Sequence, residues 1–197
     1  MDIPKNIADF LLRAVSRDKT RDSLCAPYLG QLGVDWYLAA TDGHRMHLAR
    51  VSPGPDAQPG YVALTKTSCH RMDRDGRFPN FTQVIPEDGR PGTTLSVQGA
   101  ALAELRKLPG GIRGQTVAFC TPGEVPSLGV AVAGFREDTP KNSVGMDVRY
   151  LGDAAPRGAD SVTLHFAGPL DPVVVCPAGT SPRSSEWFSF IMPRRLH

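Results

Sequence analysis

The stretch Trp36-Tyr-Leu-Ala-Ala-Thr-Asp-Gly-His-Arg-Met-His-Leu-Ala-Arg-Val51 holds a strand interrupted at Thr41-Asp-Gly-His44. Aromatic and aliphatic residues flank the interruption, and Asp-Gly supplies turn chemistry at its centre. Residues 28–34 predict a preceding strand, with Gly33-Val34-Asp35 as a tight connection. Further upstream, residues 6–17 predict an amphipathic helix. Ile7, Phe10, Leu11, Ala14 and Val15 fall at helical spacing, which leaves Asp9, Arg13 and Arg17 toward the other side.

Downstream of Val51, Ser-Pro-Gly-Pro-Asp-Ala-Gln-Pro-Gly at 52–60 sustains neither a helix nor a central strand and reads as a loop. Residues 61–65 resume as a strand. Residues 73–86 read as an extended linker with apolar anchors of its own, and the main boundary falls near residue 78. A second amphipathic helix is expected over 98–108, with Ala101, Leu102, Leu105 and Leu108 on one side and Pro109-Gly-Gly111 ending it. Strands are expected at 116–120, 129–134, 144–148, 161–166, 172–175 and 187–192, with a short helix at 149–155. A helix followed by a few strands thus appears about three times. The expected class is α+β, its strands mostly antiparallel because the connections are short.

Composition bounds the function only loosely. The 197 residues are 41% hydrophobic and 21% charged, which is ordinary globular composition. A net charge of +2 does not announce a nucleic-acid binder, so the placement of the cations matters more than their sum. Cys25, Cys69, Cys120 and Cys176 form no C-x-x-C pair and read as free, small apolar residues. No apolar run is long enough to cross a bilayer, and residues 1–20 carry charge throughout without the apolar core of a secretory signal. The expected location is cytoplasmic.

Three segments together resemble the beta sliding clamp of bacterial DNA polymerase III. Ala40-Thr-Asp-Gly-His-Arg-Met46 resembles a segment of the clamp's middle domain. Asp75-Gly-Arg-Phe-Pro-Asn-Phe81, followed by Val84-Ile-Pro86, is similar to the linker between its last two domains. Phe190-Ile-Met-Pro-Arg-Arg-Leu196 resembles the clamp's ending. All three stand in family order, and Val144-Gly-Met-Asp-Val-Arg-Tyr-Leu151 adds a weaker echo. The resemblance implies a DNA-clamp fold of repeated helix-plus-antiparallel-strands half-domains that assemble into a closed ring. The match covers a shortened clamp: 1–77 corresponds to a reduced middle-type domain and 78–197 to the C-terminal domain, with no counterpart of the first. The helix expected after Leu64 is missing or reduced. If a ring keeps the family's twelve halves, three per chain imply four chains, and three chains suffice if residues 1–77 supply a full domain.

The resemblance implies no catalytic centre, cofactor or metal. It implies a processivity factor that encircles duplex DNA without reading bases, and that tethers polymerase, and a clamp loader where one is used, through short peptides. The positions matching the family's peptide site are Arg21, Leu24, Thr41, Gly43, His44, Arg45 and Met46; Pro79 and Val84 of the linker; Leu170 and Pro172; and Phe190, Ile191, Met192, Pro193, Arg194, Arg195 and Leu196. Apolar and thioether side chains make an adaptable wall, and arginines suit acidic or carbonyl groups at its rim. Gln83 stands where the family often has a basic residue and Arg194 where it has an apolar one. Read singly, Met192 or Leu24 is a core residue and His44 a turn residue. The DNA-facing candidates are Lys5, Arg13, Arg17, Lys19, Arg106, Lys107, Arg113, Arg149 and Arg157, which read singly as a solvated helix face.

Two other readings stand beside this one. A clamp-derived decoy or regulator would keep the peptide site without encircling DNA. A metal-dependent hydrolase would be built on Asp42, His44, His47, Cys69 and His70, although no H-E-x-x-H motif is present.

Overall fold

A computed structural model describes residues 1–65, 67–85, 92–107, 116–121, 127–132, 144–168 and 170–193. In chain order the elements are α1 (Lys5–Ala14), β1 (Tyr28–Leu32), β2 (Asp35–Thr41), β3 (Arg45–Val51), β4 (Gly60–Leu64), β5 (Cys69–Arg71), β6 (Thr93–Gln98), α2 (Gly99–Leu105), β7 (Thr116–Thr121), β8 (Ser127–Val132), β9 (Val144–Asp147), α3 (Val148–Asp153), β10 (Ser161–Phe166), β11 (Val173–Pro177) and β12 (Trp187–Ile191). Every pairing of these strands is antiparallel. The class is α+β, as expected.

The helix expected over 6–17 ends at Ala14. Val15 turns extended at ψ 133, and the Ser16 amide donates to the Leu24 carbonyl at 2.9 Å instead of continuing the helix. Its fully buried residues, Ala8, Phe10, Leu11 and Ala14, recur at three- and four-residue intervals and press on the sheet. Burying Phe10 or Leu11 contributes about 1.5–3 kcal/mol each. The second helix likewise stops at Leu105. The interrupted run Trp36–Val51 is two strands, β2 and β3, which pair with each other along their length.

One sheet has nine strands in the order β5-β4-β1-β2-β3-β12-β11-β10-β6, and a smaller one has the order β8-β7-β9. The larger sheet continues from the first half of the chain into the last because β3 pairs with β12, with Met46 opposite Phe190 and Leu48 opposite Phe188. Its central strands are apolar on both faces, which makes them read as near-continuous hydrophobic runs. Leu38, Ala40, Val173, Val175, Trp187 and Ile191 join the core under the helices. Their alternating neighbours Tyr37, Ala39, Val174, Cys176, Phe188 and Phe190 join a second core. Phe78, Phe81 and Ile85 of the linker are buried in that second core, so helices cover one face and the linker covers part of the other.

Two short strands carried no readable signal in the sequence. β5 is only Cys-His-Arg, and β6 alternates half-buried with exposed residues and runs straight into α2. β4 and β5 form a hairpin with Leu64 opposite Cys69, and the Thr65 amide donates to the Ser68 carbonyl. The N-terminal segment adds to the far side of β5: Asp2 bridges Ser68, and the Ile3 amide donates to the Thr67 carbonyl at 3.1 Å.

Candidate functional site

The turn between β2 and β3 is built by its own side chains. Asp42 Oδ1 accepts from the His44 and Arg45 amides at 2.9 and 3.1 Å. Thr41 Oγ1 accepts from the Gly43 amide at 3.0 Å and donates to the Arg45 carbonyl at 2.6 Å. Such side-chain-to-backbone bonds hold a turn without a partner element. Gly43 sits at φ 90, with the Arg21 guanidinium packed against it. Arg21 Nη1 also donates to the Asp42 carbonyl at 2.9 Å, which ties the 3-10 turn at Asp22–Leu24 to this corner.

His44 projects into solvent from that turn and stacks on Tyr150 of α3, with ring centroids 6.3 Å apart. Burial pushes the Tyr150 hydroxyl above its ordinary pKa, and the Asp42 carboxylate adds to the shift. Arg45 lies over the same ring at 4.6 Å. Its side chain is only 10% exposed. Nε faces Asp42 Oδ2 at 3.1 Å, Nη1 faces Asp153 Oδ2 at 2.6 Å, and Nη2 donates to the Arg13 carbonyl. The guanidinium is therefore occupied as a brace between the turn, α1 and α3. Tyr150 and Asp153 are the two site residues that sequence reasoning missed. Tyr150 lay inside the weaker Val144–Leu151 echo, whereas nothing in the sequence marked Asp153.

The C-terminal strand comes to the same corner. Arg45 lies opposite Ile191, and the Met192 amide donates to the His44 carbonyl at 2.9 Å. Pro172 stands one residue before the Val173–Ile191 pair, with Leu170 just upstream. Met46 and Phe190 share the second core with Phe78 and Phe81, the residues on either side of Pro79-Asn80. Leu24, Met46, Phe190 and Ile191 are buried, and Thr41 is too. Leu170 is 65% exposed, Met192 45% and Val84 42%, half of the exposed large hydrophobics among the described residues. Pro193 follows Met192, while Arg194, Arg195 and Leu196 lie outside the described residues.

The basic candidates fall on or near the helical face, and several are already partnered. Arg13 is half-buried and donates to the Ala155 carbonyl at 3.1 Å. Arg106 Nε faces Asp153 Oδ1 at 2.9 Å, Lys107 faces Glu104 at 2.6 Å, and Arg149 lies 3.8 Å from Asp147. Lys5, Arg17, Lys19 and Arg157 are exposed. Arg17 and Lys19 follow α1 instead of riding on it, and Arg113 lies outside the described residues.

The histidines do not converge. His47 is fully buried under α1, its ring stacked on Phe10 at 4.2 Å and its Nδ1 2.6 Å from the Phe10 carbonyl. Burial, reinforced by the Arg45 charge, holds its pKa well below the ordinary value, so the ring is neutral. His70 lies on β5 beside Ser68. Among the described residues, no group of three or more His, Cys, Asp or Glu side chains is arranged to hold a metal ion. No helix among them is long and apolar enough to cross a membrane.

No family model matches the sequence, and no curated protein matches it. Solved structures match over nearly the whole chain. The DNA polymerase III beta chain of Streptococcus pneumoniae superposes with a TM-score of 0.70 at 16% identity, covering 99% of this chain and 64% of that one. The beta subunit of Thermotoga maritima gives 0.67 at 15%, covering 100% and 65%. The sliding clamp of Bartonella birtlesii, bound to griselimycin, gives 0.65 at 17%, covering 97% and 64%. The chain, described from its turn, its two-faced sheet and its three helices, therefore has the fold of the bacterial beta sliding clamps and spans just under two thirds of the length of the clamp chains it matches.

Proposed function

We propose that this chain is a non-catalytic sliding clamp in which several copies close a ring around duplex DNA and hold polymerase or repair proteins at an outer dock. One observation carries the reading: the two faces of a single sheet are covered by different elements. The described helices bury their apolar residues against one face, the linker residues Phe78, Phe81 and Ile85 are buried in the core of the other, and Leu170, Met192 and Val84 stay exposed outside both cores. Exposed apolar side chains rimmed by polar groups are what a short apolar peptide needs. The helical face would meet the phosphates through Lys5, Arg17, Lys19, Arg157 and those partnered arginines that can exchange an acid for a phosphate.

A ring of identical chains needs two different edges, because head-to-tail contacts close only when one surface fits another. β8 ends the three-stranded sheet, and β5, flanked on its outer side by residues 1–3, ends the nine-stranded one. The reading divides the chain at residues 77 and 78, with one half-domain before a complete domain. The β4–β5 hairpin, whose strands are joined by residues 65–68, occupies the span that would otherwise carry a helix. Three halves per chain then favour a tetramer, with a trimer as the alternative. Such a protein works in the cytoplasm, beside the DNA.

A specific observation favours a second reading. Arg13, Arg106, Lys107 and Arg149 all have partners within the chain, which weakens the pull on phosphates and suits a decoy that binds clamp-seeking peptides without DNA. Native mass together with retention on circular and linearised DNA separates the two. A ring stays on closed circles and slides off once they are cut. A monomer indifferent to that cut, yet able to bind griselimycin or an apolar pentapeptide, establishes the decoy.

A further inference from the structure

A groove of about 820 Å³ opens on the helical face between the end of α1, α2 and the segment after α3. Three guanidinium groups reach it: Arg13, Arg106 and Arg157. Their crowding is visible at Arg13, whose pKa is lowered first by burial and next by the Arg106 charge. Its Nη1 donates to the Ala155 carbonyl, while its buried Nη2 has no hydrogen-bond partner among the described residues. Lys107 lines the groove as well, and the carboxylates among its lining residues are Glu104, which pairs with Lys107, and Asp160, so four cations face two acids and the cleft is net positive.

The groove is also wired to the turn. Asp153 Oδ2 accepts a hydrogen bond from Arg45, while Oδ1 lies 2.9 Å from Arg106 Nε as an ion pair without a hydrogen bond of its own among the described residues, so the Arg106 side of the carboxylate is the more loosely held. Arg45 in turn braces Asp42 and lies over Tyr150, against which His44 stacks. The Arg106 side chain is 32% exposed, so water reaches its side of the pair and a competing anion can too. A phosphate can offer the guanidinium two oxygens at once. Asp153 would not be left bare by the exchange, because Arg45 still holds it.

We propose that this groove is a site for one backbone phosphate of duplex DNA, that Arg106 leaves Asp153 to hold it, and that the exchange is felt at His44 through Asp153, Arg45 and Tyr150. The proposal rests on the reading that the helical face meets DNA. It adds a link between that face and the outer dock: once Arg106 departs, Asp153 binds Arg45 alone, and the turn that carries His44 is held more firmly.

The test titrates the full chain with a short blunt duplex and follows both the affinity against salt and the NMR signals of the His44 ring. Arg106→Gln keeps the stem that packs on Gly152 and removes the charge, while Arg106→Lys keeps the charge without the fork. The salt slope should fall by about one unit in Arg106→Gln. Duplex should shift the His44 signals in the natural protein, shift them less in Arg106→Lys and leave them still in Arg106→Gln. Asp153→Asn should move them without DNA. An unchanged slope in Arg106→Gln overturns the site, and a still His44 in DNA-bound natural protein overturns the link. An equal shift from sodium phosphate at matched ionic strength assigns the groove to free anions instead. Failure of the natural protein to bind duplex at low salt sinks the DNA reading itself, which distinguishes that failure from the others.

Discussion

Gly43 and His47 stand four residues apart and obey opposite constraints. Gly43 is exposed, and its φ of 90 is a conformation that side chains resist. A Cβ there would also collide with the Arg21 guanidinium, although that end of a flexible side chain can swing away. Gly43→Ala is expected to cost about 1–2 kcal/mol in denaturant unfolding, mostly as backbone strain. His47 is set by burial instead. Its folded pKa lies well below the 6.5 of an exposed ring, so the unfolded chain takes up the proton first. Stability is then fully present above pH 6.5 and drains away as the pH falls below it, by up to about 1.4 kcal/mol per pH unit until the folded value is reached. Urea midpoints at pH 5.5 and 7.5 should differ less in His47→Gln than in the natural protein.

At the level of elements, α3 shows how much a single cap decides. Asp147 accepts from the Arg149 amide at 2.9 Å at the start of a helix only six residues long. Asp147→Ala should lower stability by about 1 kcal/mol, while Asp147→Asn, which retains the acceptor, should change little; chemical denaturation of both variants checks this. Elements with strong periodicity were legible in the sequence: α1 from its apolar spacing, β10 to the residue, and the strands around Thr41–Arg45 from the turn chemistry between them. Boundaries slipped where a long-range bond took over, as when Ser16 turned to Leu24. β5 could not be read because three polar or small residues make no pattern until β4 and the N-terminal segment flank them. At the candidate site, the corner that joins residues 41–46 to 190–192 followed from the family motifs. The bracing role of Arg45 did not, because Asp153 is 108 residues away and nothing local announces it.

For the whole molecule, assembly and stability should be inseparable. If copies close a ring, each seam stabilises the fold only while partners are present, so the melting temperature should rise with protein concentration. Scanning calorimetry over a hundredfold range of dilution checks this, and a constant midpoint would argue for a chain that works alone. The antiparallel ladder between β3 and β12 bears on how such an assembly could move. It joins the early strands to the late ones with backbone hydrogen bonds, and the Met192 amide extends it by donating to the His44 carbonyl at 2.9 Å. The first half of the chain is thereby joined to the last by a continuous ladder. If copies do close a ring, a gate that admits a double helix would open where one copy meets the next, and with every such meeting alike, no position around the circle would be marked beforehand as the door.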